Sequence, residues 1–140
     1  VSGVERLIDL AAPTSRVWAI LTDPEEFARL YAHGGAEFSP TAGSPVRLDW
    51  PGRGTFLGEV EETEHPHRFC YRLAAQPDTA PTPANSTLVE FTLTPTPAGC
   101  RLVVRETGFD KLGRAAEDEA KRLADDAWTT CLRMLAETLT

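Results

Sequence analysis

The sequence is poor in sulfur, has no apolar run long enough to cross a membrane, and carries no surplus of positive charge. Its three cysteines, Cys70, Cys100 and Cys131, are odd in number and far apart. That spacing excludes a disulfide framework and a CxxC metal pair, and leaves small buried thiols. No apolar stretch approaches about 18 residues, and the N-terminus shows no basic segment followed by an apolar one. Neither a membrane span nor a secretory leader is expected, and a reducing cytoplasm is the expected location. The formal charge is −7 and the basic residues are scattered, which argues against a nucleic-acid backbone as partner. No nucleophile elbow of the GxSxG type is present. Gly52-Arg53-Gly54 is too short for a phosphate loop and reads as a hairpin turn. His33, His65 and His67 form no metal set, so no metal and no cofactor are expected. There are no internal repeats. A single Met and few Lys beside abundant Ala, Pro and Arg suggest a bacterial source of high GC content.

What is present is a long helical period at the C-terminus. From Lys111 to Thr140 the residues Ala120, Leu123, Ala124, Ala127, Trp128, Cys131, Met134, Leu135 and Leu139 recur every three or four positions and share one broad face. Asp118, Arg122, Asp126, Thr129 and Arg133 take the other face. The acidic cluster Glu117, Asp118 and Glu119 suits the positive end of a helix dipole, which sets the start near Arg114 to Ala116, just past Gly113. A helix of about 25 residues spans about 37 Å and must bury its apolar face. Everything before it reads as strands, so the partner is expected to be a sheet. At 140 residues the chain is expected to form a single domain over 1–140, burying about two thirds of its unfolded surface.

In order, Val4 to Ala11 reads as a strand that ends at Pro13. Thr14 to Leu21 carries Val17, Trp18 and Leu21 at helical spacing, with Thr14 as a cap. Asp23-Pro24-Glu25-Glu26 starts a second short helix, with Glu26 closing a capping box and Phe27, Leu30 and Tyr31 on its apolar face. From Ala36 the period changes to two for about seventy residues, as in an antiparallel meander. Val46, Leu48 and Trp50, then Phe56 and Val60, then Phe69, Tyr71 and Leu73, then Val89, Phe91 and Leu93 each alternate with polar residues. His65-Pro66-His67 turns the chain. Ala74 to Ser86 holds three prolines and no period, and reads as a long loop, a lid or a disordered segment.

The residues resemble a known family. Ala12-Pro13, Val17-Trp18 and Leu21-Thr22-Asp23-Pro24-Glu25 are similar to the opening of the START-like (SRPBCC) superfamily, in its heat-shock-protein ATPase activator homologue branch. Leu88-Val89-Glu90-Phe91-Thr92-Leu93, Gly99-Cys100-Arg101-Leu102, Glu106-Thr107-Gly108-Phe109, and Trp128 with Leu132 and Leu135 are similar to its ending. The resemblance implies an α+β helix-grip fold: two short helices after the first strand, and a curved antiparallel sheet of about six or seven strands wrapped around the long C-terminal helix. It also implies a cavity for a hydrophobic small molecule, and leaves room for a chaperone or homodimer partner and a stress-response role. Leu30-Tyr31 stands where this branch often has Trp, and Glu106 where it often has His.

Strand parity supplies a candidate site without the family. Counting in twos from Leu102 and Val104 puts Glu106 on the inward face, where a carboxylate needs a partner. In a half-dry pocket desolvation raises its pKa and makes it an acid, base or ligand anchor. The alternative is that the strand ends at Arg105 and Glu106 sits at the solvated rim. Trp50, Phe56, Tyr71, Phe91 and Trp128, with Cys131, are the candidates to line a cavity, although the aromatic residues read first as ordinary core, since aromatics on the inner face of a small sheet dominate packing. Three functions fit. One is a domain binding an apolar small molecule with Glu106 and Tyr71 as polar anchors. Another is a cyclase-like or aromatase-like enzyme on a polyketide-like substrate, with Glu106 catalytic. The third is an interaction module resembling the heat-shock ATPase activators.

Overall fold

A computed structural model describes residues 3–139. Seven strands form one antiparallel sheet: β1 (Gly3–Leu10), β2 (Gly35–Glu37), β3 (Pro45–Trp50), β4 (Gly54–Glu64), β5 (Arg68–Ala74), β6 (Ser86–Thr96) and β7 (Gly99–Thr107). Their order is β1-β7-β6-β5-β4-β3-β2, so the first strand closes against the last and the remainder is a meander. Helices α1 (Thr14–Leu21) and α2 (Pro24–Leu30) follow β1, and a 3-10 helix (Phe109–Leu112) leads into α3 (Arg114–Thr138). This is the helix-grip fold, with the long helix against the inner face of a curved sheet.

Period-two burial runs through the sheet as the sequence requires. One row crosses five strands by register: Val60, Tyr71, Val89, Glu106 and Val4. All five are buried. The next row carries Phe69, Phe91 and Val104 and ends on β1 at Arg6. Arg6 lies on the inward side of an edge strand, so its guanidinium crosses to α3, pairing with Asp125 and donating to Thr129 Oγ1 at 3.3 Å. The β4–β5 register shifts between Val60 and Glu62, an irregularity of the kind that lets a sheet curve. Gly58 sits beside that shift, and a Cβ there would lie 2.1 Å from the Arg72 carbonyl oxygen.

The helix ends differ from the sequence reading in two places. Asp23 does cap α2, its Oδ1 accepting from the Glu25 amide at 3.1 Å, but Glu26 does not close a capping box because its carboxylate pairs with Arg29 one turn on. Thr14 is the first helical residue of α1 and not its cap; extended Pro13 takes the cap position, and no side chain caps that helix. Gly113, at φ 91°, admits the chain to α3. His65-Pro66-His67 forms the β4–β5 turn with a cis bond before Pro66, and the His65 ring meets Trp18 edge-on at 5.3 Å.

The core lies between the inner face of the sheet and the helices. Trp128 is fully buried at the middle of α3, stacked on Tyr31 at 4.0 Å and edge-on to Phe91 at 5.5 Å. Cys131, Leu132 and Leu135 continue the buried face toward the C-terminus. On the outer face, charged pairs cover the pleat: Arg68 holds Glu62 and Glu90, Arg105 holds Glu5 and Arg101 holds Asp9. Cys70 lies buried under Arg68, and burial pushes its thiol up to about 11. All three cysteines are free.

Candidate functional site

The apolar face of α3 changes in size along its length. Its second half carries Trp128, Cys131, Leu132 and Leu135, which fill the space beneath the sheet. Its first half carries Ala116, Ala120, Ala124 and Ala127, with Leu123 the one large apolar residue among them, and beside these mostly small residues a cavity of about 490 Å³ remains. That volume lies within the range of small-molecule sites, about 300–1,000 Å³.

Three segments build the walls beyond α3. The β3–β4 hairpin supplies Trp50, Arg53 and Phe56; the Arg53 amide bonds the Trp50 carbonyl at 3.0 Å and closes the turn. The β5–β6 connection supplies Ala75, Gln76, Pro77, Ala84 and Asn85. This stretch, read as a lid or a disordered segment, is a fastened loop. Asn85 accepts from the Thr82 amide at 2.7 Å and donates to the Ala80 carbonyl at 3.0 Å, while the Asp78 amide ties the loop to Thr55 at 2.9 Å. The 3-10 helix supplies Phe109, Lys111 and Leu112. Buried Tyr31, Thr87 and Glu106 form the floor, and exposed Arg53, Gln76, Pro77, Lys111 and Glu119 form the rim.

Glu106 is the polar centre of the floor. It lies inside β7, 6% exposed, and not at a solvated rim. Thr87 Oγ1 donates to its Oε2 at 2.6 Å and Trp128 Nε1 donates to its Oε1 at 2.8 Å. Each oxygen keeps a second lone pair for a further donor. Burial raises the Glu106 pKa, and the two hydrogen bonds oppose that rise by favouring the charged form. Its charge in turn adds to the burial that holds Tyr31 and Tyr71 well above the ordinary phenol value. The Tyr71 hydroxyl is buried and makes no hydrogen bond of normal geometry, although it lies near enough to Tyr31 for the two groups to interact. Trp50 Nε1 donates to the Tyr31 carbonyl at 2.8 Å, fixing the indole against the floor.

Of the seven residues singled out from the sequence, Trp50, Phe56 and Glu106 line the cavity together. Tyr71, Phe91, Trp128 and Cys131 do not reach it and pack beneath it in the core. Trp128 still acts on the floor, through its bond to Glu106. Burial pushes the Cys131 thiol up to about 12, which keeps it protonated and unreactive at neutral pH. The sequence reading passed over Tyr31, Thr87 and Arg53 as site residues. Thr87 could have been found by extending the count in twos back from Val89. Nothing in the local sequence marks Arg53. Among the described residues no group of His, Cys, Asp and Glu is arranged to hold a metal, and no helix is long and apolar enough to cross a membrane.

This architecture recurs among solved structures. Protein MLL2253 from Mesorhizobium loti superimposes with a TM-score of 0.81 at 23% identity, over 96% of this chain and 94% of that one. DynU16, from the dynemicin biosynthetic locus, does so with a TM-score of 0.77 at 22% identity, over 99% of this chain and 47% of that one. The Aha1 dimer from Colwellia psychrerythraea gives 0.76 at 15% identity, over 99% and 96%. At these identities the likeness is one of fold. No curated protein matches the chain in sequence. Residues 11–140 match the family described as activator of Hsp90 ATPase homolog 1-like protein, and the chain belongs to that family.

Proposed function

We propose that this protein binds a largely apolar small molecule in the cavity between its sheet and the first half of α3. The observation that carries the reading is the cavity itself, about 490 Å³, walled by Trp50, Phe56 and the alanines of α3 with one hydrogen-bonding acid, Glu106, at its floor. Apolar walls supply affinity by burial and a few polar groups set orientation. Glu106 takes the role of polar anchor for a ligand hydroxyl or amide. Tyr71, Phe91, Trp128 and Cys131 support the floor from below.

A second reading keeps the same cavity and makes Glu106 a proton carrier for a cyclase-like reaction. The observation favouring it is the raised pKa of a carboxyl that faces the cavity. The interaction-module reading draws no such support. It calls for an exposed apolar patch, and among the described residues Leu7 is the one exposed large hydrophobic side chain.

The test uses N-phenylnaphthylamine, an uncharged aromatic probe whose fluorescence rises on leaving water. The expected result is saturable binding to the native protein that is lost in Ala120→Phe, where the new ring occupies the cavity. Equal binding by the two proteins, or none by either with folding intact by circular dichroism, overturns the reading.

A further inference from the structure

The cavity mouth carries charge of a kind its floor does not. The protein is acidic overall, at −7, and ten of its fourteen basic residues are paired with a carboxylate. Among the described residues Arg16, Arg53, Lys111 and Arg114 are not. Two of those four, Arg53 and Lys111, line the cavity, and both are exposed at its rim. They come from different segments, the β3–β4 hairpin and the 3-10 helix, so no local sequence requirement puts them at the same opening.

The Arg53 side chain is also placed. Its guanidinium carbon stands 5.7 Å from the centre of the Trp50 ring and 5.6 Å from that of Phe56, the two aromatic walls of the cavity. Cation–π contact holds the group at the mouth and leaves its N–H donors unsatisfied by any acid. The rim also carries Glu119, whose carboxylate is directed along α3 to Arg122 at 4.0 Å. That acid is therefore partly engaged, whereas the two cations are not.

We propose that the ligand is an organic anion: an apolar, aromatic-compatible body held against Trp50 and Phe56, with a carboxylate or other acidic group at the mouth between Arg53 and Lys111. A guanidinium already stacked on the cavity wall is preorganised for such a group. The uncharged end of the same ligand reaches Glu106, where a hydroxyl or amide donor meets the free lone pairs. This inference rests on the cavity being a binding site, and it adds the charge of the occupant.

The test compares anilinonaphthalene sulfonate with N-phenylnaphthylamine, which shares its rings and lacks the anionic group. The native protein is expected to bind the sulfonate more tightly. Arg53→Met and Lys111→Met, which keep an unbranched apolar stem and remove the charge, are each expected to weaken sulfonate binding about threefold more than they weaken binding of the uncharged probe, and about tenfold more together. About 1 M salt, where the screening length falls to about 3 Å, should shrink the preference. Circular dichroism confirms that the variants fold. Equal affinity for the two probes, a preference for the uncharged one, or Met variants that weaken both alike overturns the proposal while leaving the cavity as a binding site. Binding of neither probe overturns it together with the reading on which it rests.

Discussion

Glu106 separates the effect of charge from the effect of shape, because its two oxygens accept from two different donors inside the protein. Glu106→Ala leaves Trp128 Nε1 and Thr87 Oγ1 without an acceptor. An unsatisfied buried donor costs about 1–3 kcal/mol, so the loss is expected to be about 2–4 kcal/mol by urea denaturation. Glu106→Gln keeps the shape and an acceptor for Trp128, and the Thr87 hydroxyl can turn to accept from the new amide. It also removes a charge that burial disfavours, so at neutral pH this variant is expected to be as stable as the native protein or more so. The pH dependence has a definite sign. Burial raises the Glu106 pKa in the folded protein, so between the unfolded value, about 4.3, and the higher folded value the native state binds more protons than the unfolded one. Stability therefore falls as pH rises through that window and levels off above it. Subtracting the Glu106→Gln profile from the native profile isolates this contribution. A flat or rising difference would falsify the assignment of Glu106 as a desolvated acid.

At the scale of elements, α3 and the bent part of the sheet carry the packing. Trp128 is fully enclosed, stacked on Tyr31 and crossed by Phe91. Trp128→Ala is expected to cost about 3–5 kcal/mol, as core residues do; a loss near 1 kcal/mol in an equilibrium melt would instead make this indole a pocket wall. Gly58→Ala is expected to cost at least about 1–3 kcal/mol, because the added methyl meets the Arg72 carbonyl at 2.1 Å across the β4–β5 pair. Backbone at that position cannot give way without breaking the ladder, so a cost below about 0.5 kcal/mol would mean that the two strands do not approach this closely at Gly58. These elements were legible in the sequence because each is periodic. The spacing of Ala120, Ala124, Trp128 and Leu135 needs a helix, and the alternation from Val46 to Val104 needs strands. Parity also put Glu106 inward. It did not tell which inward residues face open space, because that depends on how α2 and α3 cover the sheet. Tyr31, at the C-cap of α2, stacks on Trp128 and itself lines the cavity, so Trp128 does not, while Trp50 and Phe56 on the β3–β4 hairpin stay beside the cavity. The walls made by Arg53, Gln76, Asn85 and Lys111 come from a turn, a loop and a single-turn 3-10 helix, which are too short or irregular to carry a period.

For the molecule as a whole, the proposed function means that the cavity beside the first half of α3 is closed by a ligand in place of side chains. An occupant binding only the folded state raises stability by mass action, about 2.7 kcal/mol at a hundredfold excess over its dissociation constant. For a chain of this size that is a rise in Tm of about 5–10 °C. The rise should be local in origin: amides of the β5–β6 loop and the first turns of α3, which wall the cavity, should gain hydrogen-exchange protection at low ligand occupancy, before the β6–β7 core does. Ala120→Phe supplies the decisive comparison, since an aromatic ring in the cavity replaces the ligand's apolar contacts without the ligand. Its Tm in the absence of ligand is expected to stay near the native value, and the ligand-dependent increment is expected to vanish. An unchanged increment in differential scanning fluorimetry would move the binding site away from α3 altogether, to a surface that this helix does not wall.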